Sequence, residues 1–306
     1  MSDLGAEVQR LAERHGEWTY DMPLPGGIWT RGNEGLPHTR LKRIVQVIAD
    51  LAGKPLSECR VLDLGSLEGQ FAIEMALQGA QAVGIEIREA NVAKARFVTD
   101  ALELENVEFF KADVRDVSNA TYGHFDAIIC SGILYHLAAS DAINLIGQMA
   151  AMSRVVVIDT HVSLTPQKRF GPHSGCEYRE HSPGDSSATK EARRWASADN
   201  ESSFWFTRPS LVNILARAGF SSVYECFTPA HLNYGRAGLE SEDRCTFVAV
   251  RSEPVKLITS PAANDLVEPW PERALAYAPR SRLRVLCERV GRFVRAPTLK
   301  VRAPRA

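Results

Sequence analysis

Two observations in this 306-residue sequence predict an α/β fold with a doubly wound, seven-stranded sheet, mostly parallel with an antiparallel last strand. From Arg40 onward, short β-branched apolar runs alternate with amphipathic segments. Runs of that kind suit a parallel sheet covered by helices on both faces. Two later strand signals, near residues 222–227 and 244–250, follow a helix and suit an antiparallel edge.

The elements follow in order. Helix "TRLKRIVQVIADLAG" leads into strand "RVLDLG", helix "EGQFAIEMALQGA" and strand "QAVGIEI". Helix "EANVAKARFVTDALEL" places Ala95, Val98 and Leu102 at helical spacing, and strands "VEFFKADV" and "HFDAIICSG" follow. Helix "AASDAINLIGQMAAM" and strand "RVVVIDTHV" complete the alternation. Residues 163–206 break it with Gly, Pro, Ser, His and charge, which reads as an inserted lid, a substrate loop or a disordered excursion. Then "FTRPSLVNILARAGF" reads as a helix with Thr207 as N-cap, Pro209 in its first turn and Gly219 as its stop. Seven of the 16 prolines lie between Pro254 and Pro304, which sets a domain end near Arg251. The expected division is an N-terminal cap segment at 1–39, a main domain at 40–251 containing the insertion, and a Pro-rich linker with a basic tail at 252–306.

A hydrophobic content of 45% with 24% charged residues is that of a water-soluble globular chain with a full core. The net charge of -1 hides an asymmetry: residues 280–306 hold nine Lys/Arg and one acid, leaving 27 basic and 36 acidic residues in the body. An acidic body is a poor binder of a phosphate backbone, so nucleic acid is not the expected partner. The tail segment "SRLRVLCERVGRFVRAP" aligns Leu283, Leu286 and Val290 on one stripe among arginines, which suits peripheral contact with anionic lipid, docking on protein, or solvation. Six cysteines without paired spacing suggest a reducing compartment, and no apolar run approaches the roughly 18 residues that span a bilayer. A cytoplasmic protein is expected.

In an open α/β sheet, ligands bind outside the carboxyl ends of the strands, where the strand order reverses. That directs attention to "VLDLGSLEGQF", a strand running into a glycine turn after Asp63. Glu86 ends the next strand, 21 residues beyond Gly65, where a carboxylate can accept both hydroxyls of an adenosine ribose. Asp113 ends the third strand, where its side chain can meet an adenine amino group and the amide of Val114 a ring nitrogen. Leu67 discriminates between cofactors. A dinucleotide such as NAD needs a bare backbone there for its pyrophosphate, whereas S-adenosylmethionine has no pyrophosphate.

From Arg40 to Arg251 the chain resembles the class I S-adenosylmethionine-dependent methyltransferases. "VLDLGSLEG" is similar to that family's first motif, "GIEI" (ending Glu86, Ile87) to its acidic second-strand end, "ADV" to its adenine motif and "FDAIICSGILYHL" to its fourth-strand motif. The resemblance implies a Rossmann-like fold in which Asp63, Gly65, Ser66 and Gly69 shape a methionine pocket. It further implies that Glu86 and Ile87 border the ribose, that Asp113 and Val114 face adenine, and that Ser131 lies beside the sulfonium. "GILYHL" and "SSFWFTRPSLVNILARAGF" look most like the branch containing tRNA wobble-uridine carboxymethyl transferases and uncharacterised relatives.

A sulfonium is an activated methyl donor, so holding the acceptor in line is the protein's main task. A hydroxyl acceptor also needs a base, and His suits neutral pH. His136, at the mouth of the fourth strand, is the nearest candidate, with a purely structural role as its alternative. Asp159 and His161 end the fifth strand, where Asp159 can orient a base, bind a polar acceptor or contribute to a metal site. His173, Cys176 and His181 match no closed zinc spacing, so no metal is expected. Trp29 and Arg31 are candidates to cap the site, and Trp205 to line the acceptor pocket. The expected function is methyl transfer to oxygen or nitrogen of a small or medium polar metabolite, with tRNA modification or noncatalytic adenosyl binding as alternatives.

Overall fold

The computed structural model describes residues 4–32, 38–226 and 243–265. An N-terminal helix, α1 (Leu4–His15), precedes a short hairpin of β1 (Pro23–Leu24) and β2 (Ile28–Trp29) and then α2 (Thr39–Leu51). The alternation runs β3 (Arg60–Leu64), α3 (Gln70–Leu77), β4 (Gln81–Glu86), α4 (Glu89–Ala101), β5 (Val107–Lys111), α5 (Asn119–Tyr122), β6 (Ala127–Ser131), α6 (Ala139–Met152) and β7 (Val155–His161). Next come β8 (Lys168–Phe170), β9 (His173–Arg179), α7 (Ser187–Ala192) and β10 (Ser202–Phe206), followed by α8 (Arg208–Arg217), β11 (Ser222–Glu225) and β12 (Arg244–Val250).

Seven strands form the main sheet in the order β11-β12-β7-β6-β3-β4-β5. The pairs from β7 to β5 are parallel, and β12 runs antiparallel to both β7 and β11. The chain winds outward from β3 to β5, then returns to lay β6 on the other side of β3. The switch point therefore lies between β3 and β6, where a ligand crevice is expected.

The apolar runs explain the two-sided burial. Leu62, Ile128 and Ile158 face one core with α6 and α8, while Val61, Ile129 and Val157 face the other with α2, α3 and α4. Alternate residues of a strand point to opposite faces, so only a continuous apolar run can fill both cores. On α6, Ala142, Leu145, Ile146 and Met149 form the buried stripe at helical spacing. Burying a side chain such as Leu145 stabilises by about 1.5–3 kcal/mol. Helix α8 starts at Thr207, whose Oγ1 accepts from Ser210 N at 3.3 Å, with a proline in the first turn.

The insertion is ordered, which narrows the three readings of its sequence. Strands β8, β9 and β10 form a separate antiparallel sheet in the order β10-β9-β8, with Phe206 opposite Gly175 and Ser202 opposite Arg179. This sheet is tied to the main body where Phe204 N donates to Leu137 O at 2.9 Å and Ser163 N to Phe206 O at 2.9 Å. Its strands are interrupted by Gly, Ser and His, and β9 and β10 pair across a gap of more than 20 residues, so periodicity alone could not reveal the sheet.

Among the described residues no helix is long and apolar enough to cross a membrane. The basic stripe of residues 280–306, with its expected lipid contact, lies outside the described residues.

Candidate active site

The loop after β3 is shaped by backbone that runs through the left-handed region. Gly65 has φ 66, Leu67 φ 48 and Gly69 φ 83. At Gly69 a Cβ would come within 2.5 Å of the Phe109 ring, so space as well as φ calls for glycine, and at Gly65, where φ already favours glycine, a Cβ would crowd Ile133 Cβ at 3.0 Å. Leu67 adopts the conformation a glycine would take, and its N–H donates to Glu86 Oε2 at 2.9 Å. Leu67 itself lines the ligand site.

Glu86 thereby serves two purposes. Its carboxylate accepts from Leu67 N and, at 2.8 Å, from Arg88 N, while it also borders the open cavity. Burial raises its pKa above the usual carboxylate range, against the pull of these N–H donors. Beneath the loop, Asp63 is buried and accepts from Ala72 N at 3.2 Å; burial pushes its carboxyl up to about 7. Asp63, Ser66 and Gly69 support the loop from below rather than forming the cavity wall.

The cavity, of about 300 Å³, opens at the switch point. That volume is at the lower end of small-ligand pockets, roughly 300–1,000 Å³. Gly65, Leu67, Glu86, Ile87, Asp113 and Val114 form one end, and Tyr20, Arg40, Ser131, Tyr135, His136 and Arg244 the other. The residues present fit an adenosyl group: a carboxylate ends β4 at the cavity, Gly65 leaves backbone bare, and the buried Ser131 Oγ has no partner among the described residues. Asp113 departs from the sequence expectation. Both its oxygens are engaged by Arg115, through Nε at 3.0 and 2.9 Å, Nη2 and the backbone N–H, so its carboxylate is committed to that guanidinium rather than offered to an adenine amino group. Burial would raise its pKa, but these bonds outweigh it and hold the carboxyl low.

His136 is the site residue with the clearest chemical arrangement. Its Nδ1 lies 3.0 and 3.1 Å from the two oxygens of Glu180. Glu180 is buried, and it also accepts from Ser203 Oγ at 2.6 Å and Ser197 N at 3.0 Å. Burial alone would raise Glu180, yet His136 and these donors bring it below its ordinary value. An ionised carboxylate only accepts, so Nδ1 carries a proton toward Glu180. Glu180 sits in the insertion, 44 residues from His136, and the sequence pattern gave no sign of the pairing.

The other catalytic candidates lie behind the wall. Asp159 is buried and accepts from Arg244 Nε at 2.8 Å and Thr246 Oγ1 at 2.6 Å, with Arg40 Nε 3.4 Å away. Burial works against its charge, but Arg40 and Arg244 dominate and keep it low. It therefore positions two arginines that do line the cavity. His161 is held between Asp243 at 3.2 Å and Arg244 at 3.3 Å and stacks on Trp205 at 4.8 Å. Trp205 donates from Nε1 to Tyr135 O at 3.0 Å and does not reach the main cavity. Trp29 and Arg31 border a separate hollow beside α1, and Arg31 Nη1 supports the Thr19 carbonyl at 3.2 Å. Among the described residues no group of three or more His, Cys, Asp or Glu side chains could hold a metal ion.

Several wall residues were missed from sequence. Tyr20 reaches the site because Glu68, inside the cofactor loop, accepts from the N–H groups of Thr19 and Tyr20 at 2.7–2.9 Å. Lys94 Nζ, 3.0 Å from Glu68, also donates to Glu17 O at 2.9 Å. Arg244 had a usable signal: the first residue of an antiparallel strand sits at the carboxyl edge of its parallel neighbours, and here it pairs with His161.

A sequence model described as "Methyltransferase domain" matches residues 36–225. The ubiquinone biosynthesis O-methyltransferase of Acinetobacter baumannii (strain AYE) is 28% identical over 142 residues, covering 45% of this chain and 55% of that protein. The protein of the same name from Acinetobacter baylyi is 31% identical over 142 residues, with the same coverage. The chain thus spans about half the length of these curated relatives. The crystal structure of the N-terminal domain of EvdMO1 in the presence of SAH and D-fucose superposes with a TM-score of 0.62 at 26% identity, covering 82% of this chain and 97% of that one.

Proposed function

The chain belongs to the class I S-adenosylmethionine-dependent methyltransferases, and from that premise we propose that it methylates a hydroxyl oxygen of a small polar acceptor. The observation that carries this reading is the His136–Glu180 pair on the cavity wall. When bound, S-adenosylmethionine supplies a methyl group already activated by its sulfonium. Glu86 would hold the ribose hydroxyls, Leu67 and Val114 would flank the adenosyl portion, and the Gly65 backbone and Ser131 Oγ would meet the methionine portion. His136 Nε2 takes the acceptor's hydroxyl proton as the oxygen attacks, and Glu180 stabilises the imidazolium that results. A neutral amine would not need this base, so the pair favours oxygen over nitrogen.

Two relatives support a hydroxyl acceptor: one is named an O-methyltransferase, and the EvdMO1 domain was crystallised with a sugar. No relative named above carries the tRNA wobble-uridine branch that "GILYHL" suggested. The test is production of S-adenosylhomocysteine from S-adenosylmethionine with D-fucose and a set of phenols as acceptors. Turnover that gives an O-methyl product and is lost in His136→Asn is expected. Turnover only with tRNA, or binding without turnover on any of these acceptors, would overturn the reading.

A further inference from the structure

Residues 193–200 cross the adenosyl end of the cavity without joining a β-ladder. Side chains from separate parts of the chain hold this strap. Arg88 Nη2, just beyond β4, donates to the carbonyls of Arg193 at 3.2 Å and Ala196 at 2.9 Å. Arg115 Nη2, beyond β5, donates to Asp199 at 2.6 Å while the same guanidinium holds Asp113. Arg194 Nη1 donates to Thr19 Oγ1 at 3.0 Å. These contacts join the strap to the second-strand end, the third-strand end and the N-terminal segment.

The opposite side of the strap meets the catalytic pair. Ser197 N donates to Glu180 at 3.0 Å, and Asn200 Nδ2 donates to the His136 carbonyl at 3.0 Å. Ser197 O in turn faces His181 Nε2 at 2.6 Å. One eight-residue segment therefore touches both partners of the pair and both strand ends of the adenosyl site.

We propose that this strap is a latch which couples cofactor occupancy to the positioning of the base. The adenosyl group enters and leaves when residues 193–200 lift, and seating the strap on Arg88 and Arg115 sets Ser197 N against Glu180. Arg115 and Asp199 are thus positioning residues that act on His136 through the strap. The energetics suit a moving part: Asp199 is 54% exposed and Arg115 28%, and ion pairs at such exposure are individually weak. The strap can lift while the sheet beneath stays folded. This inference rests on the proposed function, because it takes the cavity as the cofactor site and His136 as the base.

Trp195 lies on the strap, is 71% exposed and lines the cavity, which makes it a reporter. The experiment follows tryptophan fluorescence of the full chain as S-adenosylhomocysteine binds and is released, with Trp195→Phe assigning the signal. Asp199→Asn is expected to speed release a few-fold, roughly the change in rate for losing one partly exposed ion pair. Arg115→Gln breaks the same bond from the other side and should do likewise. Amide exchange at Ser197 is expected to slow on binding in the wild type and to lose that slowing in both variants. Release at the wild-type rate in both variants, or a Ser197 amide indifferent to the ligand, would overturn the latch. A wild type that binds no S-adenosylhomocysteine would instead sink the cofactor reading itself, and the latch with it.

Discussion

The two ends of the cavity are built by different means. The adenosyl end comes from residues 65–114, in the loop after β3 and just past the carboxyl ends of β4 and β5, whose positions follow from the winding of the sheet. The acceptor end gathers Tyr20, Arg40, Tyr135, His136 and Arg244 from across the chain and relies on Glu180 and Asp159 behind them. Topology alone places the first set. The second set is placed by buried polar pairs, and it should fail when those pairs are broken while the first end survives.

The largest effect is expected where the two ends are joined. Lys94 and Glu68 are 1% and 0% exposed, and Glu68 also holds the N–H groups of Thr19 and Tyr20. Removing one partner of a buried pair leaves an uncompensated charge, so Lys94→Met should cost about 3–5 kcal/mol in urea unfolding. Adding Glu68→Leu should recover only part of that loss, because the backbone donors of Thr19 and Tyr20 would then be left without their acceptor. Full recovery would show that the N-terminal segment is held by other contacts.

Next comes a pH effect confined to the adenosyl end. Asp63 has a folded pKa raised by burial to about 7, above its ordinary value. As pH rises past about 4 the unfolded chain ionises this group while the folded chain keeps it neutral, so its contribution turns unfavourable between about pH 4 and 7 and is constant above. Asp63→Asn, which cannot ionise, should therefore gain stability relative to the wild type across that window, by at most about 4 kcal/mol. Thermal or urea unfolding at a series of pH values measures the difference, and a flat difference would place Asp63 in better contact with water than its burial indicates.

At the acceptor end the expected loss is in rate. His136→Asn should lower methyl transfer by roughly 10²–10⁴-fold, the usual worth of a general base. Its affinity for S-adenosylhomocysteine should stay near that of the wild type, since Leu67, Glu86 and Val114 are untouched. Glu180→Gln should follow in the same direction with a smaller loss, together with a changed pH profile. Equal losses in rate and cofactor affinity would erase the division between the two ends.

The same division marks what the sequence revealed. Glu86, Gly65 and Val114 were legible because a period of apolar runs locates strand ends, and strand ends locate the crevice. Arg40 and Tyr135 were not singled out, and Glu180 was invisible, because each gains its role from a partner on another element. Trp29, Arg31 and Trp205 were credible as aromatic or basic candidates near the site, yet Arg31 supports Thr19 and Trp205 supports Tyr135 from outside the cavity, and Trp29 borders a separate hollow. Residue type indicates what a side chain can do, and packing decides whether it faces the ligand.

Leu67 tests how firmly the adenosyl end is set by topology, and there the smallest effect is expected. A non-glycine residue in the left-handed region costs about 1–2 kcal/mol, which Leu67→Gly would relieve. Glycine adds about 0.5–1 kcal/mol of chain entropy to the unfolded state and removes the apolar contact of a half-buried side chain, so the two changes nearly cancel. The loop's fixed bond, Leu67 N to Glu86, is a backbone bond that glycine keeps. Unfolding should therefore shift by less than about 1 kcal/mol on balance of these terms. Affinity for S-adenosylhomocysteine should fall only a few-fold, through the lost side-chain wall. A loss of cofactor binding in calorimetry, with stability retained, would mean that the leucine side chain and not the strand-end carboxylate holds this loop in its binding shape.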